Sequence, residues 1–240
     1  MLLTRQQLAA HLFASTDASR VSLQYLRIDP PVEGVSTVWA TDGHTLVRCK
    51  ALAPPADEFP LIPTIPASAT SPTASVLLPV QTAKLVEAAL RKQRKANRTL
   101  PILGYALLKQ DGDTLYLAVT DLENPQTWQV RLPDATFPNV EGVLPGGVYA
   151  MVAEAGTPFG VSGAYLSRVG SYRGQFDADT PSICVTSQGP LAPVLFEWSD
   201  TNTNHEVLCL VMPMRLPELA KPAPPKPKPE GAEEEEENLE

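Results

Sequence analysis

Apolar residues recur along this chain with two periods, and the two alternate. In "LTRQQLAAHLFAS", Leu3, Leu8 and Leu12 fall at helical spacing, and Thr4 stands where an N-cap belongs. Two runs rich in β-branched and aromatic residues follow, "VSLQYLRID" and "VSTVWATD". The pattern then returns. "LPVQTAKLVEAALRKQRKANR" reads as a helix with Val80, Leu85, Ala88 and Leu90 along one side, and "LPILGYALLKQ" and "DTLYLAVTD" read as strands. A weaker third copy comprises "VSGAYLSRVGSYRG", "PSICVTSQGP" and "LAPVLFEW". The strand ends "VWATD", "LAVTD" and "ICVTS" align, which marks an internal repeat.

Short turns such as Asp42-Gly43 and Asp111-Gly112 join neighbouring strand runs, so the sheets are expected to be antiparallel. The predicted class is α+β: repeated modules of helix plus antiparallel sheet, with the helices on one face of the sheets. The boundaries expected are a domain over 1–145 holding two modules, a shortened domain over 146–216, and a tail over 217–240. A proline-rich stretch over 53–75 reads as a loop. The tail is rich in proline and then glutamate, and it buries too little apolar surface to offset its chain entropy. It reads as disordered.

Charge alters this picture. The net charge of −8 argues against a nucleic-acid partner until its distribution is examined. The tail carries much of the acid, and the predicted helices carry base. Lys84, Arg91, Lys92, Arg94, Lys95 and Arg98 fall in one stretch interrupted only by Glu87. Arg5 and Arg20 accompany the first helix, Arg168 and Arg173 the third. An ordinary lysine-rich surface helix is one reading of residues 84–98. The other is an electropositive surface that meets phosphates without reading bases, since no base-reading motif is present.

The hairpin "WATDGHTLVR" places Asp42 and His44 close together in a chain with three histidines. One aspartate and one histidine do not make a metal site, and no nucleophile motif accompanies them. No cofactor and no catalytic residue are expected. Cys49, Cys184 and Cys209 are far apart, without a CxxC, which fits reduced, buried thiols in a cytoplasmic protein. No stretch is long and apolar enough to span a membrane.

Three fragments taken together resemble a known family. "VWATDGHTLVRC" (38–49), "FPNVEGVLP" (137–145) and "LCLVMPMRL" (208–216) are similar, in the same order, to landmarks of the bacterial sliding clamp, the DNA polymerase III beta subunit. "LPVQTAKLVEAAL" (78–90) and residues 157–169 resemble its inner helices. "RTLPILGYALLKQDGDTLYLAVTDLE" resembles a phrase of that family's first domain, although here it stands in a second module. The resemblance implies a shortened member lacking the first domain and part of the last.

Further implications follow from the resemblance alone. The chain is expected to be a non-catalytic processivity factor, a homo-oligomeric ring around duplex DNA. It is expected to tether DNA polymerase and the clamp loader through short linear peptides. The cleft for those peptides is implied to be Thr41, Gly43, His44 and Leu46 on one wall, with Pro138 and Val143 on a second. Leu191, Pro193, Leu210, Val211, Met212, Pro213, Met214 and Arg215 make the rest. Thr45 stands where the family usually has arginine, and Glu141 and Gly142 where it has basic residues. On that reading the cleft has lost positive charge. The alternative is a non-ring adaptor or inhibitor that keeps the cleft.

Overall fold

The protein is described from a computed structural model over residues 1–93, 100–144, 160–176, 183–187 and 192–214. The first strand is β1 (Leu2–Thr4), followed by α1 (Arg5–Leu8) and a 3-10 turn over Ala9–Phe13. Next come β2 (Tyr25–Val32), β3 (Val35–Thr41), β4 (Thr45–Leu52), β5 (Val76–Pro79) and α2 (Val80–Lys92). The second module continues with β6 (Tyr105–Asp111), β7 (Thr114–Val119) and β8 (Gln126–Arg131). The third has α3 (Gly163–Arg173), β9 (Cys184–Ser187), β10 (Val194–Asp200) and β11 (His205–Val211).

The strands form two antiparallel sheets. One has four strands in the order β1-β6-β7-β8, the other seven in the order β5-β2-β3-β4-β11-β10-β9. Two exchanges give this order its logic. The strand before α1 joins the sheet of the second module, and the strand before α2 joins the sheet of the first. The third module then continues the first, because β11 pairs with β4 from His205↔Ala51 to Val211↔Thr45.

The α+β class with antiparallel sheets is what the periodicities predicted. Several details differ. The first predicted helix is a strand, one α turn and a 3-10 turn. Leu3 is buried because it faces the core from β1 rather than from a helix. Thr4 does cap α1: its hydroxyl accepts from the Gln7 amide, and the Gln7 side chain accepts from the Thr4 amide, a reciprocal capping box. In α2 the buried side is Ala83, Val86, Ala89 and Leu90, a run at i, i+3, i+6 and i+7, whereas Leu85 and Ala88 point outward. β8 was not foreseen, because "QTWQVR" is too polar to announce a strand. "ICVTS" is the first strand of its module while "VWATD" and "LAVTD" are second strands, so the aligned third repeat was out of phase by one strand.

The helices pack on one face of both sheets, over a core running from Leu3 and Phe13 through Leu26, Val38, Val47 and Leu108 to Tyr172 and Phe196. Each such apolar side chain removed from water contributes about 1.5 to 3 kcal/mol. The opposite faces are not bare. The proline-rich loop lays Phe59 and Ile62 over Leu2, Leu107 and Ala118 of the four-stranded sheet. The segment around 137–144 lays Phe137 and Val140 over Leu46, Leu195, Leu208 and Leu210 of the seven-stranded one. Cys49 and Cys209 are buried as expected, but Cys184 is exposed, because β9 lies at the end of its sheet order. Among the described residues, no helix is long and apolar enough to cross a membrane.

Candidate functional site

The site grows out of strand alternation where β4 meets β11. Along β11, Val207, Cys209 and Val211 face the helix side, so Leu208 and Leu210 face outward. Leu210 stands opposite Leu46 on one side and opposite Leu195 on the other, making an apolar row across three strands. Met212, Val143 and Leu144 pack at its margin. Trp39 and Leu77 extend the cluster along the same face.

The hairpin after β3 closes one end of this row. Gly43 has φ +88°, a conformation that L side chains rarely adopt, and lets the chain reverse. The Thr41 hydroxyl donates to the Thr45 carbonyl at 2.6 Å and accepts from the Gly43 amide at 3.0 Å. One oxygen of Asp42 accepts the His44 amide at 2.9 Å, the Thr45 amide at 2.7 Å and the Thr45 hydroxyl at 2.9 Å. Its other oxygen takes Nη1 of Arg168 from α3, which also donates to the Thr45 hydroxyl at 2.7 Å. Burial alone would raise the Asp42 pKa, but these donors, with Arg168 the largest, hold it below the usual carboxylate range.

α3 supports the hairpin by a second contact. The His44 ring stacks on Tyr165 at 6.0 Å between centroids, and the Arg168 guanidinium lies over the same Tyr165 ring. The end of the described chain is stitched in beside it. The Met212 amide donates to the His44 carbonyl, and the Met214 amide to the Gly160 carbonyl, each at 2.8 Å.

This geometry places the expected cleft residues individually. His44, Gly43 and Met214 are exposed; Pro138, Val143, Met212 and Pro213 are half-buried around them; Leu46, Leu210, Thr41 and Pro193 are buried. Val211 does not belong to this face. It is fully buried on the helix side, because strand alternation turns it away from Leu210. Leu191 and Arg215 lie outside the described residues. Phe137, Val140, Leu195, Leu208 and Tyr165 were not foreseen as part of the site. The period-two pattern Leu208, Leu210, Met212 was the available signal for the first row.

Arg168 brings a guanidinium to Thr45 from α3, a position sequence spacing could not have connected. By the same bonds Arg168 is tied to the hairpin rather than presented from the helix. Arg5 is similarly engaged: it donates to the Gln175 side chain at 2.6 Å and carbonyl at 2.7 Å, and pairs with Glu87. Arg20 donates to the Asp42 carbonyl. Lys84, Arg91 and Lys92 are exposed on α2, with Arg91 paired to the buried Glu87 at 2.9 Å. Arg173 is half-buried at the end of α3. Arg94, Lys95 and Arg98 lie outside the described residues.

The arrangement offers little for acid-base chemistry. Asp42 is saturated by donors, and His44 faces solvent and Tyr165, with no carboxylate among the described residues bonded to its ring. Among the described residues no group of His, Cys, Asp and Glu could hold a metal ion. What the site presents is the exposed hairpin and Met214 with half-buried Pro138, Val143, Met212 and Pro213, around an apolar row that Phe137 and Val140 cover.

Comparison with known protein-family profiles and with curated proteins finds no match. Solved structures do match. A sliding clamp (DNA polymerase III subunit beta) from Bartonella birtlesii, bound to griselimycin, superposes with TM-score 0.58 at 16% identity, covering 88% of this chain and 64% of that one. The DNA polymerase sliding clamp of Pseudomonas aeruginosa gives 0.56 at 16% identity, with 90% and 66% covered. Caulobacter crescentus pol III beta gives 0.55 at 18%, with 90% and 66% covered. The chain therefore spans about two thirds of the length of these clamps, and over that span it has the fold of the bacterial DNA polymerase III beta sliding clamp.

Proposed function

We propose that this protein is a sliding clamp: an oligomeric ring around duplex DNA that tethers a polymerase and other replication or repair proteins through a peptide-binding surface. One observation carries this reading. Three segments far apart in sequence, the 41–46 hairpin, the 137–144 linker and the 208–214 end, converge on the row Leu46, Leu195, Leu208 and Leu210. An adaptable apolar border suits a surface that takes several peptides. Methionine repacks around varied side chains, and proline leaves no backbone donor to satisfy. The mechanism needs no covalent step. Enclosure keeps the ring on the template, and a bound peptide raises the local concentration of its enzyme there.

The phosphate-facing part rests on Lys84, Arg91 and Lys92 of α2, with Arg94, Lys95 and Arg98 following in sequence. Such contacts are independent of base sequence and weaken steeply with salt. A non-ring adaptor is the second reading. It is favoured by the internal engagement of Arg5 and Arg168, which leaves fewer cations for DNA.

The test is fluorescence anisotropy with a labelled peptide from a clamp-binding polymerase, at wild type and after truncation behind Met212. We expect affinity on the order of micromolar, about −8 kcal/mol, and its loss on truncation. Undiminished binding would place the peptide site elsewhere. Retention on nicked circular DNA, compared between wild type and a Lys84→Ala, Arg91→Ala, Lys92→Ala variant, separates ring from adaptor. A ring loses retention and salt dependence in the variant; an adaptor shows none to lose.

A further inference from the structure

Two straps cover the outer faces of the two sheets, and they are held in different ways. Over the four-stranded sheet, the proline-rich loop seats Phe59 and Ile62 on Leu2, Leu107 and Ala118. Over the seven-stranded sheet, the 137–144 segment seats Phe137 and Val140 on Leu46, Leu195, Leu208 and Leu210. The four seated side chains are buried to a similar degree, between 4% and 9% exposed. By apolar contact alone the two straps are alike.

Hydrogen bonds separate them. The first strap is tied to the strands beneath it. The Thr70 amide donates to the Gln110 carbonyl at 2.9 Å, and the Gln110 amide returns a bond to the Thr70 carbonyl at 2.7 Å. Ser68 donates to the Asp111 carboxylate at 2.8 Å, and the Thr64 and Thr127 hydroxyls meet at 2.6 Å. The second strap is bonded, among the described residues, to itself. The Asn139 side chain accepts the Glu141 amide, the Val140 carbonyl accepts the Val143 amide, and the Glu141 carbonyl accepts the Leu144 amide. Pro138 has no amide to donate. Just before the strap, the Leu132 amide donates to the Asp113 carbonyl at 2.7 Å, which fixes its near end. Lifting the first strap would strand donors and acceptors, whereas the second carries its bonds with it. The hairpin does not depend on the second strap either, since the Asp42 carboxylate and the bond from the Met212 amide to the His44 carbonyl hold it.

We propose that the 137–144 strap is a releasable cover. It lifts from Leu46, Leu195, Leu208 and Leu210 while both sheets stay folded, and an incoming apolar segment then takes the place of Phe137 and Val140. Local openings of this kind use segments with few hydrogen bonds to their surroundings. A ligand for the row competes with the strap, so its apparent affinity is reduced to the fraction of molecules that are open. Release of the strap stands on its bonding alone; what replaces it rests on the peptide-binding reading above.

The experiment is thiol labelling of the full chain with dithiobisnitrobenzoate. In a Cys184→Ser background, Val140→Cys puts a thiol under one strap and Ile62→Cys puts one under the other, while Cys49 and Cys209 are buried. Global unfolding exposes both introduced thiols alike, so the ratio of their rates reports the straps. The Val140→Cys thiol should react at least about tenfold faster than the Ile62→Cys thiol. Ile62→Cys removes the larger side chain, so loosening by the substitution itself works against this result. Phe137→Cys repeats the measurement if Val140→Cys does not fold. Equal rates, or a slower Val140→Cys thiol, overturn the proposal. The labelled polymerase peptide, at concentrations where anisotropy shows it bound, should raise the Val140→Cys rate to a plateau. An unchanged rate means that the peptide sits beside a closed strap, and it overturns the exchange. If no peptide binds, the peptide-binding reading fails, and the ratio of the two thiol rates still decides whether the strap is released.

Discussion

The strand pair that joins the third module to the first, β4 with β11, is secured at both ends by opposite electrostatics. At the hairpin end the lock is ionic: Asp42 and Arg168, partly open to solvent, with four donors converging on one carboxylate. At the far end it is neutral. His205 is buried at the start of β11, its Nε2 2.9 Å from the Thr4 hydroxyl and its Nδ1 2.8 Å from the Thr203 hydroxyl, with Phe176 edge-on to the ring. Hydroxyls serve as donor or acceptor, so a neutral imidazole is satisfied there. Burial pushes the His205 pKa down to about 4, against the opposing pull of Asp200. The lesson is that charge works as a lock where water screens part of the desolvation cost, and a neutral polar bridge serves where it does not.

The largest expected effect separates the two ends by pH. The unfolded His205 binds a proton near pH 6.5, while the folded one resists until about 4. Its contribution is therefore complete above pH 6.5 and is lost as pH falls towards 4, on the order of 3 kcal/mol. Urea unfolding between pH 7.5 and 4 should show this loss, and His205→Gln should flatten it. A wild type with no loss over that window would mean His205 is not held neutral.

Asp42 has the reverse profile. Its folded pKa is lowered, so its contribution is complete above the ordinary carboxylate value and fades as pH falls through the lowered one. Asp42→Ala should cost about 2 kcal/mol at pH 7, since two amides and a guanidinium lose their acceptor. The same substitution at Asp111, in the β6–β7 turn where its carboxylate accepts from Ser68 at an exposed position, should cost less than about 0.5 kcal/mol. Equal costs would show that the hairpin's network adds nothing beyond a turn.

Smaller effects sharpen the same contrast. A double-mutant cycle between Asp42→Ala and Arg168→Ala should give a coupling of about 1 to 2 kcal/mol that shrinks in salt, whereas a Thr4→Val and His205→Gln cycle should be insensitive to salt. Gly43→Ala should cost about 1 kcal/mol through its positive φ. A Cβ there would meet only ordinary contacts, 3.5 Å from the Arg20 guanidinium and 3.7 Å from Leu23. Unchanged stability would mean the hairpin relaxes out of that conformation freely.

Much of this was legible beforehand. The repeat, the α+β class, the Thr4 cap and the Asp-Gly turns followed from residue types whose local physics is strong. Most of the hairpin, linker and chain-end residues of the site were also named in advance. The errors have two causes. β1 and β5 are short strands leading directly into helices, so their apolar residues merge with the helical period. Val211 was misplaced because adjacent strand residues face opposite sides, and a motif read as a string ignores that.

By itself the sequence determined the α+β class, the Thr4 cap and the tight turns, because capping, turn formation and strand preference are decided within a few residues. Only the tertiary structure decided which strand edges meet. It exchanged β1 and β5 between modules and joined β4 to β11. It also turned Arg168 and Arg5 from a helix-borne positive surface into internal locks. Charge is written in the sequence, but its use depends on what lies within a few ångströms. That distance is set by packing between segments more than a hundred residues apart.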